Sequence, residues 1–496
     1  MRRGLGVILF VAIMAALLSP ARSQEPPREG MALLISDVHF DPFWDPEKVA
    51  KLAAAPARDW QKIIESTPSP DRALRFAALN GSCQARGEDT SYPLLASALA
   101  SIQTHAAETQ FMTVSGDLIA HQFDCKFHTL FPGAKPREYR AFVEKTIAFV
   151  LGELRRVAPD EPQYVALGNN DSDCGDYKMD PNGPFLADLG ALIAPQMPHQ
   201  EHADAMKTFK AGGYYSAMLP SPVGKTRLLV LNDVLLSPKY ASCRGTASLA
   251  PGNAEMAWLS RQLADARAAH QHAWVMGHIP PGVNAYSTLS HFGSNCSGKA
   301  PTMFLATDQL GQELVDAGDL ISLAIFGHTH EDEIKPLEPE AAAASAGPSG
   351  SGADAVAKGG AVAVKIVPSI TPINGNNPSF TIAQVNPLTA VMEDYRVFAA
   401  GSQTGSKDWP ELYDFDRTYG VQSYTPDALR SVLAQLAADP QGKSKASRAY
   451  IRDFLTGRPD VLLPLVWPKY VCSLTHATAA GFARCACATH TSAAGQ

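Results

Sequence analysis

Five runs of apolar residues, each closing on a short polar turn, constrain this 496-residue chain more than any other feature. Met31 to Ser36 empties into Asp37-Val38-His39, Phe111 to Val114 into Ser115-Gly116-Asp117, and Tyr164 to Leu167 into Gly168-Asn169-Asn170-Asp171. Ala273 to Met276 ends in Gly277-His278, and Leu320 to Phe326 in Gly327-His328-Thr329-His330. Short continuous apolar runs read as strands buried on both faces. The C-terminal lips of such strands are where open α/β sheets collect ligand sites. One such junction is an ordinary turn; five in succession predict an α/β fold whose loops converge on a single polar site. In an extended chain Asp37 and His39 share a face, so a carboxylate and an imidazole can grip one cation. A turn after Gly327 would instead let His328 and His330 reach neighbouring ions.

Between these runs, apolar residues recur at helical spacing. Leu94, Leu95, Leu99 and Ile102 stripe a helix over Pro93 to Ala106, and Val143, Ile147, Val150, Leu151 and Leu154 stripe another. Asn253 is placed to cap a helix carrying Met256, Leu259 and Leu263, and Gly318 to close one over Gln309 to Ala317. Thr226 to Leu231 adds a further strand. Past residue 400 the texture turns helical: Thr425 caps, Pro426 takes the first turn, and Leu429, Val432, Leu433 and Leu436 form a stripe, followed by a helix over Ser444 to Thr456. Residues 401–496 therefore read as a C-terminal helical, cysteine-containing extension of a domain spanning 31–400. The Ala, Gly and Ser-rich tract at 339–360 reads as a flexible insertion.

At the N-terminus, Arg2-Arg3, the apolar stretch Leu5 to Leu18 and the small-residue site Ala21-Arg22-Ser23 make residues 1–23 a signal peptide. That stretch falls short of the roughly 20 residues a membrane span needs, so a secreted or periplasmic protein without a transmembrane anchor is expected. Loss of the segment removes three arginines and no acid, taking the formal charge from −7 to −10. Such a chain offers no basic face for nucleic acid or an anionic membrane. Eight cysteines in an exported chain fit up to four disulfides, and Cys472 is expected to pair with Cys485 or Cys487.

The order Asp-x-His, Gly-Asp, Gly-Asn-x-Asp, Gly-His, Gly-His-x-His resembles the calcineurin-like metallophosphoesterase superfamily. Closer still, the stretches 116–121 (GDLIAH), 277–282 (GHIPPG), 326–332 (FGHTHED), 368–372 (PSITP) and 374–378 (NGNNP) resemble the acid sphingomyelinase-like phosphodiesterase branch, over about residues 31 to 400. The resemblance implies a metallophosphatase-type β-sandwich core flanked by helices, with the catalytic domain at 31–400. It implies two divalent metal ions, zinc before manganese or iron: one on Asp37, His39, Asp117 and His330, the other on Asp117, Asn169, His278 and His328, with Asp117 bridging. Two such ions clamp phosphoryl oxygens and activate a water for in-line attack.

The same resemblance makes His121 a catalytic residue, donating to a non-bridging phosphate oxygen or protonating a departing alkoxide, and Asp171 a loop-orienting one. The chain departs from the sphingomyelinase pattern at Asn170, where those enzymes resemble Gly-Asn-His-Glu. An amide can bind substrate phosphate but cannot give up a proton, and Gly-Asn-Asn-Asp looks more like endopolyphosphatase-related members. The stretch between Gln24 and the first strand leaves no space for a lipid-extracting saposin-like domain, so a soluble or dispersed phosphodiester is the expected substrate. The expected function is an exported binuclear-metal phosphodiesterase. The alternatives are a polyphosphate or nucleotide phosphohydrolase on the same site and a catalytically weak phospho-ligand-binding protein.

Overall fold

The computed structural model describes residues 29–290, 298–339 and 359–488. The signal-peptide region, Cys296 and nearly all of the 339–360 tract lie outside the described residues. The apolar runs form strands: β1 (Gly30–Ile35), β2 (Phe111–Val114), β3 (Gln163–Val165), β5 (Thr226–Val230), β6 (His272–Met276) and β7 (Ile321–Phe326). The remaining strands are β4 (Tyr215–Met218), β8 (Glu333–Leu337), β9 (Val362–Ile366), β10 (Ser379–Val385), β11 (Met392–Ala399) and β12 (Glu411–Asp414).

Among the described residues these make two six-stranded sheets, ordered β12-β11-β10-β1-β2-β3 and β4-β5-β6-β7-β9-β8. β1, β2 and β3 are parallel, because the helices Tyr92–His105 and Pro136–Val157 carry the chain back between them. β10 returns antiparallel on the other side of β1, and β11 and β12 continue that meander. In the second sheet β5, β6, β7 and β9 are parallel, and β4 and β8 are antiparallel edges. Every catalytically suggestive turn leaves the C-terminal end of a parallel strand, so both sheets open their loops toward one rim.

Side-chain alternation explains why the strands read as unbroken apolar runs. Leu228, Val230, Trp274, Met276, Leu323 and Ile325 enter a core shared with Ala32, Leu34 and Phe111 of the first sheet. Their neighbours Leu229, Val275, Ala324 and Phe326 point the other way, under Met256, Leu259, Leu263, Leu310 and Leu314 of two covering helices. Period-two alternation with both faces covered leaves no position for a polar residue. The Phe111 and Trp274 rings meet edge to face at 5.8 Å across the seam. Polar bonds also cross it: the Tyr215 hydroxyl accepts from the Val165 N–H at 2.8 Å, and the Tyr164 hydroxyl donates to the Met218 carbonyl at 3.0 Å. This is the helix-flanked sandwich that the motif series implies.

Two local expectations change. Asn253 is not a cap: its helix runs Ala250–Ala268 and begins three residues earlier, with Pro251 in the first turn, where a missing N–H is harmless. The segment past residue 400 is not helical throughout, since β12 joins the first sheet before the helices Pro426–Ala437, Lys445–Phe454 and Leu463–Thr475. Thr425 and Ser444 do cap, accepting from the N–H groups of Ala428 and Ser447 at 3.3 and 3.1 Å. Disulfides join Cys83 to Cys125, Cys174 to Cys243 and Cys472 to Cys485, the last being one of the two expected pairings. No helix among the described residues is long and apolar enough to cross a membrane. Trp274 is fully buried and its indole N–H donates to the Ala390 carbonyl at 2.8 Å. Trp274→Ala is therefore expected to lower stability by about 3–5 kcal/mol, read as a lower urea unfolding midpoint.

Candidate metal centre

The chain does not leave these strands extended. Asp37, His39, Asp117, His328 and His330 all have positive φ, between 43° and 73°. The idea that Asp37 and His39 share a strand face is thus corrected, because left-handed turns re-aim both side chains. Non-glycine residues in this region cost roughly 1–2 kcal/mol each and persist where surrounding structure over-determines them. Here it does. The Asp37 and His39 N–H groups donate to the Gly116 and Asp117 carbonyls at 3.0 and 2.9 Å. Asp171, fully buried, accepts from the N–H groups of Leu118 and Gly168 at 2.8 and 2.9 Å. Asp233, also buried, accepts from those of His278 and Ile279 at 2.9 and 3.0 Å. A Cβ on Gly168 would sit 2.1 Å from Asp117 Oδ1, and one on Gly327 2.0 Å from Ser36 Oγ; only glycine allows these loops to approach so closely.

The side chains gather about Asp117. Asp117 Oδ2 lies 3.3 Å from His39 Nε2 and 3.2 Å from His278 Nε2. On one side Asp37 Oδ1 is 3.7 Å from His39 Nε2 and 3.3 Å from His330 Nε2. On the other, His278 Nε2 is 3.2 Å from both Asn169 Oδ1 and His328 Nδ1. Nearby partners fix which atom faces inward: His39 Nδ1 donates to the Ile119 carbonyl and His278 Nδ1 to the Ser115 carbonyl, at 3.0 and 2.7 Å. The Asn169 amide donates to Asp176 at 2.7 Å, which turns its oxygen toward His278. Asp37 Oδ1 and His39 Nε2 are buried with no hydrogen-bond partner. Buried polar atoms are normally satisfied, and a set of inward-facing imidazole nitrogens and carboxylate oxygens fits metal cations. The structure therefore brings all seven expected ligand residues into one cluster. His328 and His330 fall in different subgroups, with Asp117 and His278 and with His39 and His121 respectively. A further grouping of Asp173, Cys174 and Cys243 offers no thiolates, because the two cysteines form a disulfide.

His121 stacks on His39, with ring centroids 4.0 Å apart, beside the cluster. Asp89 holds it, accepting from the His121 N–H at 2.8 Å and Nδ1 at 3.0 Å, while Thr371 donates to the same carboxylate at 3.0 Å. Asn170 turns inward: its backbone N–H and amide both donate to the Asp117 carboxylate, at 2.8 and 2.9 Å. The amide expected at the substrate thus holds Asp117. Sequence reasoning missed Asp89, which follows no apolar run, Asp233, although it stands two residues past the Thr226 to Leu231 run, and two aromatic neighbours of His328. The Tyr177 hydroxyl lies 3.4 Å from His328 Nε2, and the Phe304 ring meets the His328 ring edge-on at 5.8 Å.

The electrostatics are those of a site built for cations. Burial works against charge at His39, but Asp117 and its neighbouring carboxylates prevail and raise its pKa to about 9. His278 is likewise raised to about 10 against burial, chiefly by Asp117. Burial and the nearby His278 charge drive His328 down to about 3. Without metal, His39 and His278 are thus protonated at neutral pH, and each must lose its proton to ligate. Metal loading at pH 7 is expected to release about two protons, with affinity weakening as pH falls. Calorimetric titration in buffers of different ionisation enthalpy measures this release. Asp233→Asn removes one support of the His278 loop and is expected to weaken metal affinity by about tenfold, measured by competition with a chromogenic chelator.

No protein-family model matches the chain. It is 23% identical to human acid sphingomyelinase-like phosphodiesterase 3b over 91% of this chain and 89% of that protein. It is 24% identical to rat cyclic GMP-AMP phosphodiesterase SMPDL3A over 70% and 71% of the two chains. Among solved structures, a dimetal phosphatase from Danio rerio covers 75% of this chain and 96% of its own, at 11% identity and a TM-score of 0.39. Along most of its length, the chain is thus similar in sequence to acid sphingomyelinase-like phosphodiesterases.

Proposed function

We propose that the chain is an exported phosphodiesterase that works with two divalent metal ions, zinc first among them. The observation that carries this reading is the gathering of seven ligand-competent side chains into one cluster about Asp117, with buried polar atoms left unpaired. The names of the curated relatives support the reaction class. Asp37, His39, Asp117 and His330 would hold one ion and Asp117, Asn169, His278 and His328 the other. When bound, such a pair supplies Lewis acidity and an activated water for in-line displacement at phosphorus.

The remaining work falls to the chain's own side chains. Asn170 fixes the Asp117 carboxylate between the two groups. His121, with Nδ1 engaged by Asp89, has Nε2 left to hydrogen-bond a phosphate oxygen or to pass a proton to the leaving oxygen. The proposal of export rests on the signal peptide expected from the sequence and on the three disulfides among the described residues, since such bonds persist in oxidising compartments.

The test is hydrolysis by purified, metal-analysed protein of bis-p-nitrophenyl phosphate, sphingomyelin, ATP and polyphosphate from pH 4 to 8. Metal-dependent turnover of a diester, abolished by Asp117→Asn, is expected. His121→Ala should lower kcat by about 10²–10⁴-fold on substrates with an alkoxide leaving group and by less on p-nitrophenyl esters, whose leaving group needs no proton. Preference for anhydrides over diesters would favour the polyphosphate or nucleotide reading. Tight metal binding without turnover of any of the four would favour a phospho-ligand-binding protein.

A further inference from the structure

The C-terminal helices reach the metal centre through one turn. At the end of the helix Lys445–Phe454, three successive residues, Phe454, Leu455 and Thr456, meet two loops of the site. The Phe454 carbonyl accepts from the N–H of Asp332, two residues past His330, at 3.0 Å, and the Leu455 carbonyl from the N–H of Asn377 at 3.3 Å. Thr456 is fully buried and bonds Asn377 twice. Its hydroxyl donates to the Asn377 carbonyl at 2.5 Å, and its carbonyl accepts from the Asn377 side-chain amide at 3.0 Å.

Threonine is a strained choice for this turn. Thr456 has φ 49°, a left-handed conformation that β-branched residues rarely adopt. Glycine takes such a backbone freely, and Gly457 beside it does so at φ 88°. A turn that had only to reverse the chain would be less strained with glycine at 456 as well. What threonine adds is the hydroxyl, and the hydroxyl is spent on the 369–377 loop. Backbone strain at a side chain with a specific partner is the kind of outlier from which a functional role can be argued.

From Asn377 the bonds run inward. Asn376 Nδ2 lies 3.2 Å from the same Asn377 carbonyl and 3.0 Å from both the Ser369 hydroxyl and the Thr371 carbonyl. The Ser369 hydroxyl donates to that Thr371 carbonyl at 2.6 Å. Thr371 is thereby set with its N–H on the Asp37 carbonyl and its hydroxyl on Asp89, each at 3.0 Å. Asp89 in turn holds His121. Ser369, Thr371 and Asn376 are fully buried, so bulk water does not compete for these bonds.

We propose that Thr456 is a positioning residue, whose hydroxyl fixes the 369–377 loop and, through Thr371 and Asp89, the ring of His121. This rests on the role proposed for His121 in phosphodiester hydrolysis. Thr456 touches no reacting atom, so its loss leaves substrate binding intact and slows the step in which His121 takes part. The helical extension is then a working part of the catalytic unit.

The test compares wild type with Thr456→Gly, Thr456→Ser and Thr456→Val at matched metal content. The substrates are bis-p-nitrophenyl phosphate and two diesters with an alkoxide leaving group, detergent-dispersed sphingomyelin and glycerophosphocholine. Thr456→Gly is expected to lower kcat on the alkoxide-releasing diesters by about tenfold, with KM within about twofold, the scale of a small misplacement of a catalytic group. The loss on bis-p-nitrophenyl phosphate should be smaller, and Thr456→Ser, which keeps the hydroxyl, should retain most of the activity. Added to His121→Ala, Thr456→Gly should cost nothing further, because both act through one group. Should wild type accept only bis-p-nitrophenyl phosphate, that cancellation decides alone. The urea midpoint of Thr456→Gly should stay near that of wild type, since relief of strain offsets the lost hydrogen bond. If Thr456→Gly does not fold, Thr456→Val carries the comparison, and failure of both to fold would overturn the assignment. So would an unchanged kcat, an equal loss on all three diesters, or a loss that persists in full beside His121→Ala, and in each case the proposed hydrolysis would stand. Absence of turnover on every substrate would instead remove the proposed function, and this inference with it.

Discussion

The carboxylate of Asp117 is the point on which the site depends. It is buried, stands between two imidazoles, and is gripped by two donors from a single residue, Asn170. A buried carboxylate without such partners would be forced toward its neutral form. Here the charges of His278 and His39 overcome burial and keep Asp117 below the ordinary carboxylate range. Because the donor hydrogen bonds come from the β3 loop and the imidazoles from the loops after β1 and β6, the carboxylate ties three otherwise separate turns to one another. Its neighbour Asp171 shows the contrast. Burial and the Asp117 charge raise its pKa to about 7, and it answers by binding backbone N–H groups instead of facing the cluster.

Much of this was legible in the sequence because one rule generated it: a buried strand reads as an apolar run, and whatever polar group follows is carried to the rim. β1, β2, β3, β6 and β7 were each placed to within a residue or two, and with them Asp37, His39, Asp117, Asn169, His278, His328 and His330. What stayed hidden has no such signature. Asp89 lies beside His121 although 32 residues separate them in sequence, and Thr371 reaches it from further still; side chains brought together by tertiary packing leave no period in the sequence. The edge strands β8 and β12 carry charged residues, Glu333 and Lys335 in the one and Glu411 and Asp414 in the other, so neither produces the continuous apolar run that marked the others. Asn253 misled for a local reason, since a good capping residue says where a helix can begin, and Pro251 moved the start forward.

The left-handed turns bear on how specific the site is. Five of the seven candidate ligand residues occupy backbone conformations that their side chains disfavour. The strain is stored where the chain must bend to aim a donor inward, and it is opposed by the hydrogen bonds that Asp171 and Asp233 make to the backbone. Loops left to their own preferences would relax into extended geometry and spread the ligands apart. Residues outside the candidate ligand set thus contribute to the rigidity of the cluster.

The seven candidate ligand side chains are also divided between the two halves of the sandwich. Asp37, His39, Asp117 and Asn169 follow strands of the first sheet, whereas His278, His328 and His330 follow strands of the second. Any ion bound by members of both groups is therefore a clasp across the seam. It can form only after the sheets have met face to face, and it resists their separation afterwards. Binding free energy that favours the assembled state alone adds to that state's stability by mass action. Metal supply in the compartment where the chain matures would then govern how long the sandwich stays closed as well as whether it is active.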